Sequence, residues 1–400
     1  MHLDPRPSLA ALALGLAAIL PLPGAPEKAK SPQKPVVKTL AIGAQAPGFD
    51  LPGVDGKNHA LADFAAARIL VVVFTCNHCP DAIGAQDRLK KLAADYGPQG
   101  VAVVAISGND PLALQPWELG WSVYGDSFEE MRAHARDHEY NFPYLYDGDT
   151  QAVTTAYGAV ATPHVFIFDA DRRLRYQGRL DNGRRDPGPA TENNARDVLD
   201  LLLAGKPVPE TMQTSRVFGC STKWAWKRAL AQEKAKEWAG LPVTVEPADA
   251  ATIRKLAANE TGKIRLINVW ATDCGPCLAE FPDLVGIYRQ YQKRDFDFVT
   301  IATDPAPKAG AVRKVLTRQQ AALSPLTAKS VAAEGRRTNN YHYDSDDLDA
   351  LAEALDAEWQ GPLPHTLLLA PGGKVIFRHT GRIDPIAVRR AIVARLRAEE

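Results

Sequence analysis

The stretch Leu266-Ile267-Asn268-Val269-Trp270-Ala271-Thr272-Asp273-Cys274-Gly275-Pro276-Cys277 decides the fold. An apolar, β-branched run ends at Trp270, and a C-x-x-C pair follows four residues later. Pro282 lies inside the helical pattern just beyond. A strand that delivers two cysteines to a helix start is a redox-site pattern. The helix N-terminus stabilises a thiolate there, and the second sulfur lies one turn away, within disulfide reach. The device occurs twice. Ile69-Leu70-Val71-Val72-Val73-Phe74-Thr75-Cys76-Asn77-His78-Cys79-Pro80 is another apolar strand leading to a C-x-x-C.

Working outward, the two sites belong to an internal repeat. Cys76 lies 87 residues before Pro163 and Cys274 lies 90 residues before Pro364. Each proline is followed by a histidine and an apolar strand. Each half then reaches a matching tetrapeptide, Gly178-Arg179-Leu180-Asp181 or Gly381-Arg382-Ile383-Asp384. Before the first site, 46–57 reads as a hairpin turning at Asp55-Gly56. A helix is expected over 80–95, a strand over 101–107, an insertion over 108–125 and a helix from 126 to about 139. A short strand at 144–146 and a short helix over 150–157 precede the proline strand, and a helix over 192–204 closes the half. In the second half the expected elements are a strand over 296–302, a helix over 309–322, a polar stretch over 335–349 and a basic helix over 385–398. Strands alternating with helices imply an α/β sandwich, a central mixed sheet flanked by helices, present twice.

The domains read as 40–205 and 241–400. A connector over 206–240 carries Cys220 and, from 225 to 238, a helical composition. The apolar run 9–20, with Arg6 before it, reads as a signal peptide over 1–25, followed by a Pro-, Lys- and Ala-rich linker over 26–39. The run is too short for a membrane-spanning helix. The mature chain is therefore expected to be periplasmic or secreted and not membrane-spanning. Lysine plus arginine and aspartate plus glutamate number 47 each, so neither a nucleic-acid footprint nor a polybasic membrane patch is implied. Five cysteines make two C-x-x-C pairs and leave Cys220 over; a disulfide framework would need more, spread more widely.

The second half resembles the TlpA/ResA-type thioredoxin-like oxidoreductases. Val269-Trp270-Ala271-Thr272, Cys274-Gly275-Pro276-Cys277, Glu280, Pro282 and Pro364 carry the likeness. The first half resembles the redoxin group related to AhpC/TSA, through Cys76-Asn77-His78-Cys79-Pro80, Thr162-Pro163-His164 and Gly219-Cys220-Ser221-Thr222-Lys223-Trp224. The resemblance implies two tandem thioredoxin-like folds. It also implies that Thr162-Pro163 and Leu363-Pro364 are cis and line a groove whose backbone pairs with a bound thiol peptide. Glu280 is implied to tune the thiols, ahead of the plainer reading of a surface acid near a helix start.

Attack on a disulfide needs a thiolate, so Cys76 and Cys274 are the expected nucleophiles, resolved by Cys79 and Cys277. His78 puts an imidazole beside the first thiolate, which should make that site the more oxidising. Asn268 and Leu70 stand where thioredoxins carry a buried acid, and the first half offers no clear proton acceptor. Asp273 should oppose thiolate formation at Cys274. The implied function is extracytoplasmic thiol-disulfide exchange with protein thiols and disulfides, recycled by a membrane or periplasmic redox donor, with no cofactor.

Other readings stay open. Two C-x-x-C pairs could supply four zinc ligands, but each has its own strand, helix and proline. A thiol peroxidase would need P-x-x-x-T/S-x-x-C, and Ile69 and Val73 stand at those positions before Cys76. Copper delivery is kept open by His78 and His164, although C-x-x-C is shorter than the usual copper spacing. No metal ligand set is assigned. Cys220 is an inert cysteine, a third redox thiol or an intermolecular partner. The acidic run 344–349 lacks the spacing of a calcium loop.

Overall fold

The computed structural model describes Met1 and residues 36–183 and 190–398. The expected signal peptide and most of the expected linker lie outside the described residues. No helix among the described residues is long and apolar enough to cross a membrane.

Two mixed sheets carry the repeat. The first has five strands in the order Tyr144–Tyr146, Val101–Ser107, Ile69–Phe74, His164–Phe168, Leu174–Gly178. The first three run parallel, and the last two are antiparallel additions. The second sheet has the same plan with one more edge strand: Glu246–Pro247, Asn340–His342, Phe296–Ala302, Ile264–Trp270, His365–Leu369, Val375–Thr380. The repeat extends to irregularities. The register shifts at Ile167/Phe168 in one half and at Leu368/Leu369 in the other, the same place in the proline strand.

Helices cover both faces, so the central strands are buried throughout and read as unbroken apolar runs. In the first half, Val71, Val73 and Ile167 face one apolar core, and Leu70, Val72 and Phe166 face the other. Ile264–Trp270 has two exceptions, Asn268 and Arg265; Arg265 is the charged one. It lies opposite Asp297 in register and bonds it at 2.8 Å, with Glu334 and Arg336 completing a buried charge cluster. Pairing is what keeps such charges from a prohibitive desolvation cost.

The segment 108–125 forms two short 3-10 turns, Pro111–Ala113 and Pro116–Leu119, and joins the halves. Gln290 Nε2 donates to the carbonyls of Leu119 and Ser122, and Tyr291 Oη donates to Ser122 as well. Trp121 and Val123 pack on the second core. Arg389 and Arg390 reach across to Glu130 and Asp137.

The polar region of the second half holds more order than its composition suggests. The helix expected to reach 322 ends at Arg318. A helix Pro325–Ala333, capped by Ser324, and the strand Asn340–His342 follow. That strand is polar because its side chains have buried partners: Asn340 Oδ1 accepts from Thr300, and Asn340 Nδ2 donates to the carbonyls of Thr244 and Ala321.

Candidate active sites

In the second half the helix Gly275–Tyr291 starts directly after Cys274, which is its N-cap. The Cys277 backbone N–H donates to Cys274 Sγ at 3.3 Å. Cys274 is half-buried, Cys277 is fully buried, and the two are joined as a disulfide. Glu280 lies one turn on, buried beneath the pair. Its Oε1 accepts from Asn268 Nδ2 at 2.8 Å and its Oε2 from the Ile383 N–H at 2.9 Å. Burial raises its carboxyl above the ordinary value in spite of those two donors. Asn268 therefore stands at the strand position usual for an acid and instead holds the acid supplied by the helix. It also donates to Thr366.

Asp273 differs from its expectation as a destabilising charge. It is exposed and paired with Lys308 Nζ at 3.1 Å, and this bond lowers its carboxyl pKa. The cation offsets the field that Asp273 would exert on Cys274.

The first half is built differently because its proline falls elsewhere. In Cys76-Asn77-His78-Cys79-Pro80, Pro80 is the first helical residue of Pro80–Tyr96, so Cys79 is the N-cap and Cys76 precedes the helix by a turn. In Cys274-Gly275-Pro276-Cys277 the proline is the second helical residue, and the first cysteine takes the cap. The thiols of Cys220 and Cys76 and the backbone N–H groups of Cys220 and Ala82 hold the Cys79 thiol well below the ordinary cysteine range. Burial, then the contact with Cys79, raises Cys76.

All three cysteines of this half are free. Cys76 Sγ contacts Thr162 Oγ1 at 3.1 Å, and the Cys79 thiol donates to the Thr162 carbonyl at 3.2 Å. Cys220 packs on this cluster and contacts Cys79. Both Thr162-Pro163 and Leu363-Pro364 are cis. Thr162 thus faces the first cysteines, while Leu363 packs on the apolar cores of the second half.

The sequence pointed to no acid for this centre, and the structure brings one from 48 residues away. His78 is buried, with Nδ1 at 2.7 Å from Asp126 Oδ2. Asp126 also accepts from the Asn77 N–H and from Asn109 Nδ2. Burial alone would lower His78, but the charge and hydrogen bond of Asp126 outweigh it and raise the imidazole. Asp126 is lowered by the same pairing against its own burial. Asp126 had only the look of a helix-start acid. Its partner could not be read from spacing, because the 108–125 segment folds back to place it.

Ligand atoms of Cys76, His78 and Asp126 lie within 4.8 Å of one another. The donor set fits a metal poorly, since Asp126 Oδ2 is already bonded to His78 and Asn109. His164 is outside this group; its Nε2 bonds Gln177, and burial lowers its pKa to about 4.

Each half is thus a thioredoxin-like fold with a cysteine pair at a helix start and a cis proline opening a later strand. The AhpC/TSA family model matches residues 42–177, and the Redoxin model matches residues 242–391. The chain therefore consists of two domains of the AhpC/TSA and redoxin group in tandem. A Mycobacterium tuberculosis protein that carries a provisional peroxiredoxin name is 25% identical over 144 residues, 32% of this chain and 90% of its own. A hypothetical protein from Sinorhizobium meliloti is 36% identical, covering 47% of this chain and 97% of its own, with a TM-score of 0.41. A DsbE-type thiol:disulfide interchange structure from Chlorobium tepidum is 18% identical, over 41% of this chain and 99% of its own, with a TM-score of 0.32.

Proposed function

We propose that the protein is an extracytoplasmic thiol-disulfide oxidoreductase that exchanges disulfides with protein substrates through two unequal centres. One observation carries this reading. Each half carries a cysteine pair at a helix start and a cis proline ahead of the matching strand, one pair as a disulfide and the other as dithiols. Cys274 is the nucleophile of the second centre and Cys277 its resolving thiol, with Glu280 exchanging the proton. Cys76 and Cys79 are the exchanging pair of the first centre. The extracytoplasmic placement rests on the leader-like run at 9–20. A periplasmic or membrane donor would then return electrons to whichever centre is oxidised.

Reduction of insulin by the full chain tests the reading, together with trapping on Cys277→Ala and Cys79→Ala variants. Each variant should retain a mixed disulfide. Turnover no faster than that of a chain with all five cysteines replaced, with no trapped partner, would overturn it.

Copper binding is a second reading, favoured by the approach of Cys76, His78 and Asp126. It requires Asp126 to give up His78. Titration with Cu(I) under a competing chelator decides it: stoichiometric binding lost in Cys76→Ser supports the metal role.

A further inference from the structure

In the first centre the strand edge beside the cis proline is occupied. Beside Pro163, the two-residue strand Ala161–Thr162 is already paired antiparallel with Cys220–Ser221, in the register Thr162 to Cys220 and Ala161 to Ser221. The edge beside the proline, where a peptide would pair, is taken by the chain's own connector. The fit is close. A Cβ at Gly219 would lie 1.8 Å from the Thr162 carbonyl oxygen, and Gly219 has φ +125°, which disfavours any side chain there. The strap over 219–223 is fastened along its length. Thr222 Oγ1 donates to the Ala159 carbonyl, the Lys223 N–H to Asn109 Oδ1 and Gln151 Nε2 to the Lys223 carbonyl. The buried Lys223 ammonium pairs with Glu118 at 2.5 Å.

The strap leaves Cys76 and Cys79 at 2% and 0% exposure. Cys220 alone of the three thiols reaches solvent. Its N–H donates to Cys79 Sγ at 3.1 Å. The three sulfurs form one cluster, with Cys79 in contact with both others. Against it lies the fully buried His78, whose Nε2 has no partner among the described residues.

The geometry points to Cys220 as the catalytic entry thiol of the first centre, through which disulfides reach the buried pair. This rests on the thiol-exchange reading above and extends it. Cys220 gives up its proton and attacks a substrate disulfide RSSR′, forming Cys220–S–S–R, and the proton leaves on R′SH. Cys79 attacks the Cys220 sulfur, releases RSH and leaves a Cys79–Cys220 disulfide. Cys76 then attacks Cys79 and frees Cys220. Overall the Cys76 and Cys79 thiols lose two electrons and two protons, and the substrate disulfide leaves as two thiols. Cys220 is regenerated. Run backwards, the same steps deliver oxidising equivalents to substrate thiols.

The test uses the full chain with Cys274→Ser and Cys277→Ser, reduced and then exposed to oxidised glutathione, acid-quenched, alkylated and peptide-mapped. In the added Cys79→Ser variant the glutathionyl group should stay on Cys220. In the added Cys76→Ser variant a Cys79–Cys220 disulfide should form. With Cys220→Ser, closure of Cys76–Cys79 should slow by about tenfold or more, since the buried thiols lose their accessible relay. An adduct on Cys76 in the Cys79→Ser variant, or an unchanged rate in Cys220→Ser, would overturn the proposal while leaving thiol exchange intact. If the parent forms neither adduct nor disulfide, thiol exchange at this centre fails as well. Adduct position and closure rate come from different variants, so misfolding of one does not remove the other.

Discussion

Glu280 is where a single side chain sets the behaviour of the second centre. Its folded carboxyl lies above the ordinary 4.5 because burial disfavours the charge. A raised pKa means that the native state holds this proton more tightly than the unfolded chain. Its contribution is therefore complete below pH 4.5 and declines as pH rises through the folded value. Glu280→Gln should flatten that decline in melting temperature measured across pH. The replacement is mild, because the Asn268 amide can turn its unpaired Oδ1 toward the new amide. The cost should be about 1 kcal/mol. Exchange through Cys274 and Cys277 should slow and lose its dependence on pH in the same range, because the proton acceptor is gone. An unaltered pH–rate profile in a well-folded Gln variant would leave Glu280 as packing only.

At the scale of elements, proline position separates the two redox helices. Pro80 makes Cys79 the cap of one helix, and Pro276 makes Cys274 the cap of the other. The first helix start also has an imidazole beside its cysteines, its pKa raised by the charge and hydrogen bond of Asp126. A stabilised thiolate favours the dithiol form, so the first centre should be the more oxidising. Measured in full-length chains carrying the other pair as serines, its potential should lie above that of the second centre by at least about 30 mV, a tenfold difference in equilibrium constant. His78→Ala should close most of the gap. Equal potentials, or the reverse order, would remove the imidazole from the account.

The same elements show what was legible beforehand. The central strands, both redox helices and both proline strands were readable because burial on two faces leaves unbroken apolar runs. The repeat confirmed them. The strand Asn340–His342 was not readable, since its polar side chains are satisfied by partners far away in sequence. The His78–Asp126 pair and the Cys220 contact were hidden for the same reason. Each depends on an irregular segment returning to the site, and no period records such a return.

For the whole molecule, the decisive feature is the seam that makes two redox domains one body. The Ser122 carbonyl accepts from both Gln290 and Tyr291 near the end of the second redox helix. The Ser122 hydroxyl donates to the Asn77 carbonyl, between the first pair of cysteines. One residue therefore touches the helix that begins at the second centre and the loop that forms the first. Arg294 lies over the Trp121 ring at 3.7 Å and donates to the Gly120 carbonyl, which fixes the same turn from the other side. Truncating the seam should be felt at a distance. A Gln290→Ala, Tyr291→Phe double variant removes the side-chain donors of the Ser122 carbonyl and should cost about 2–4 kcal/mol, because a buried acceptor loses its partners. Loosening Ser122 also frees the Asn77 carbonyl, so the buried Cys76 and Cys79 should be alkylated faster under native conditions even though neither touches the altered residues. The rate is best read by mass spectrometry in a chain whose second pair is serine, which keeps redox traffic out of the comparison. A lowered melting temperature with unchanged alkylation would make the seam a structural joint alone. Loss of protection at the first centre would make it the route by which one domain holds the other's thiols closed.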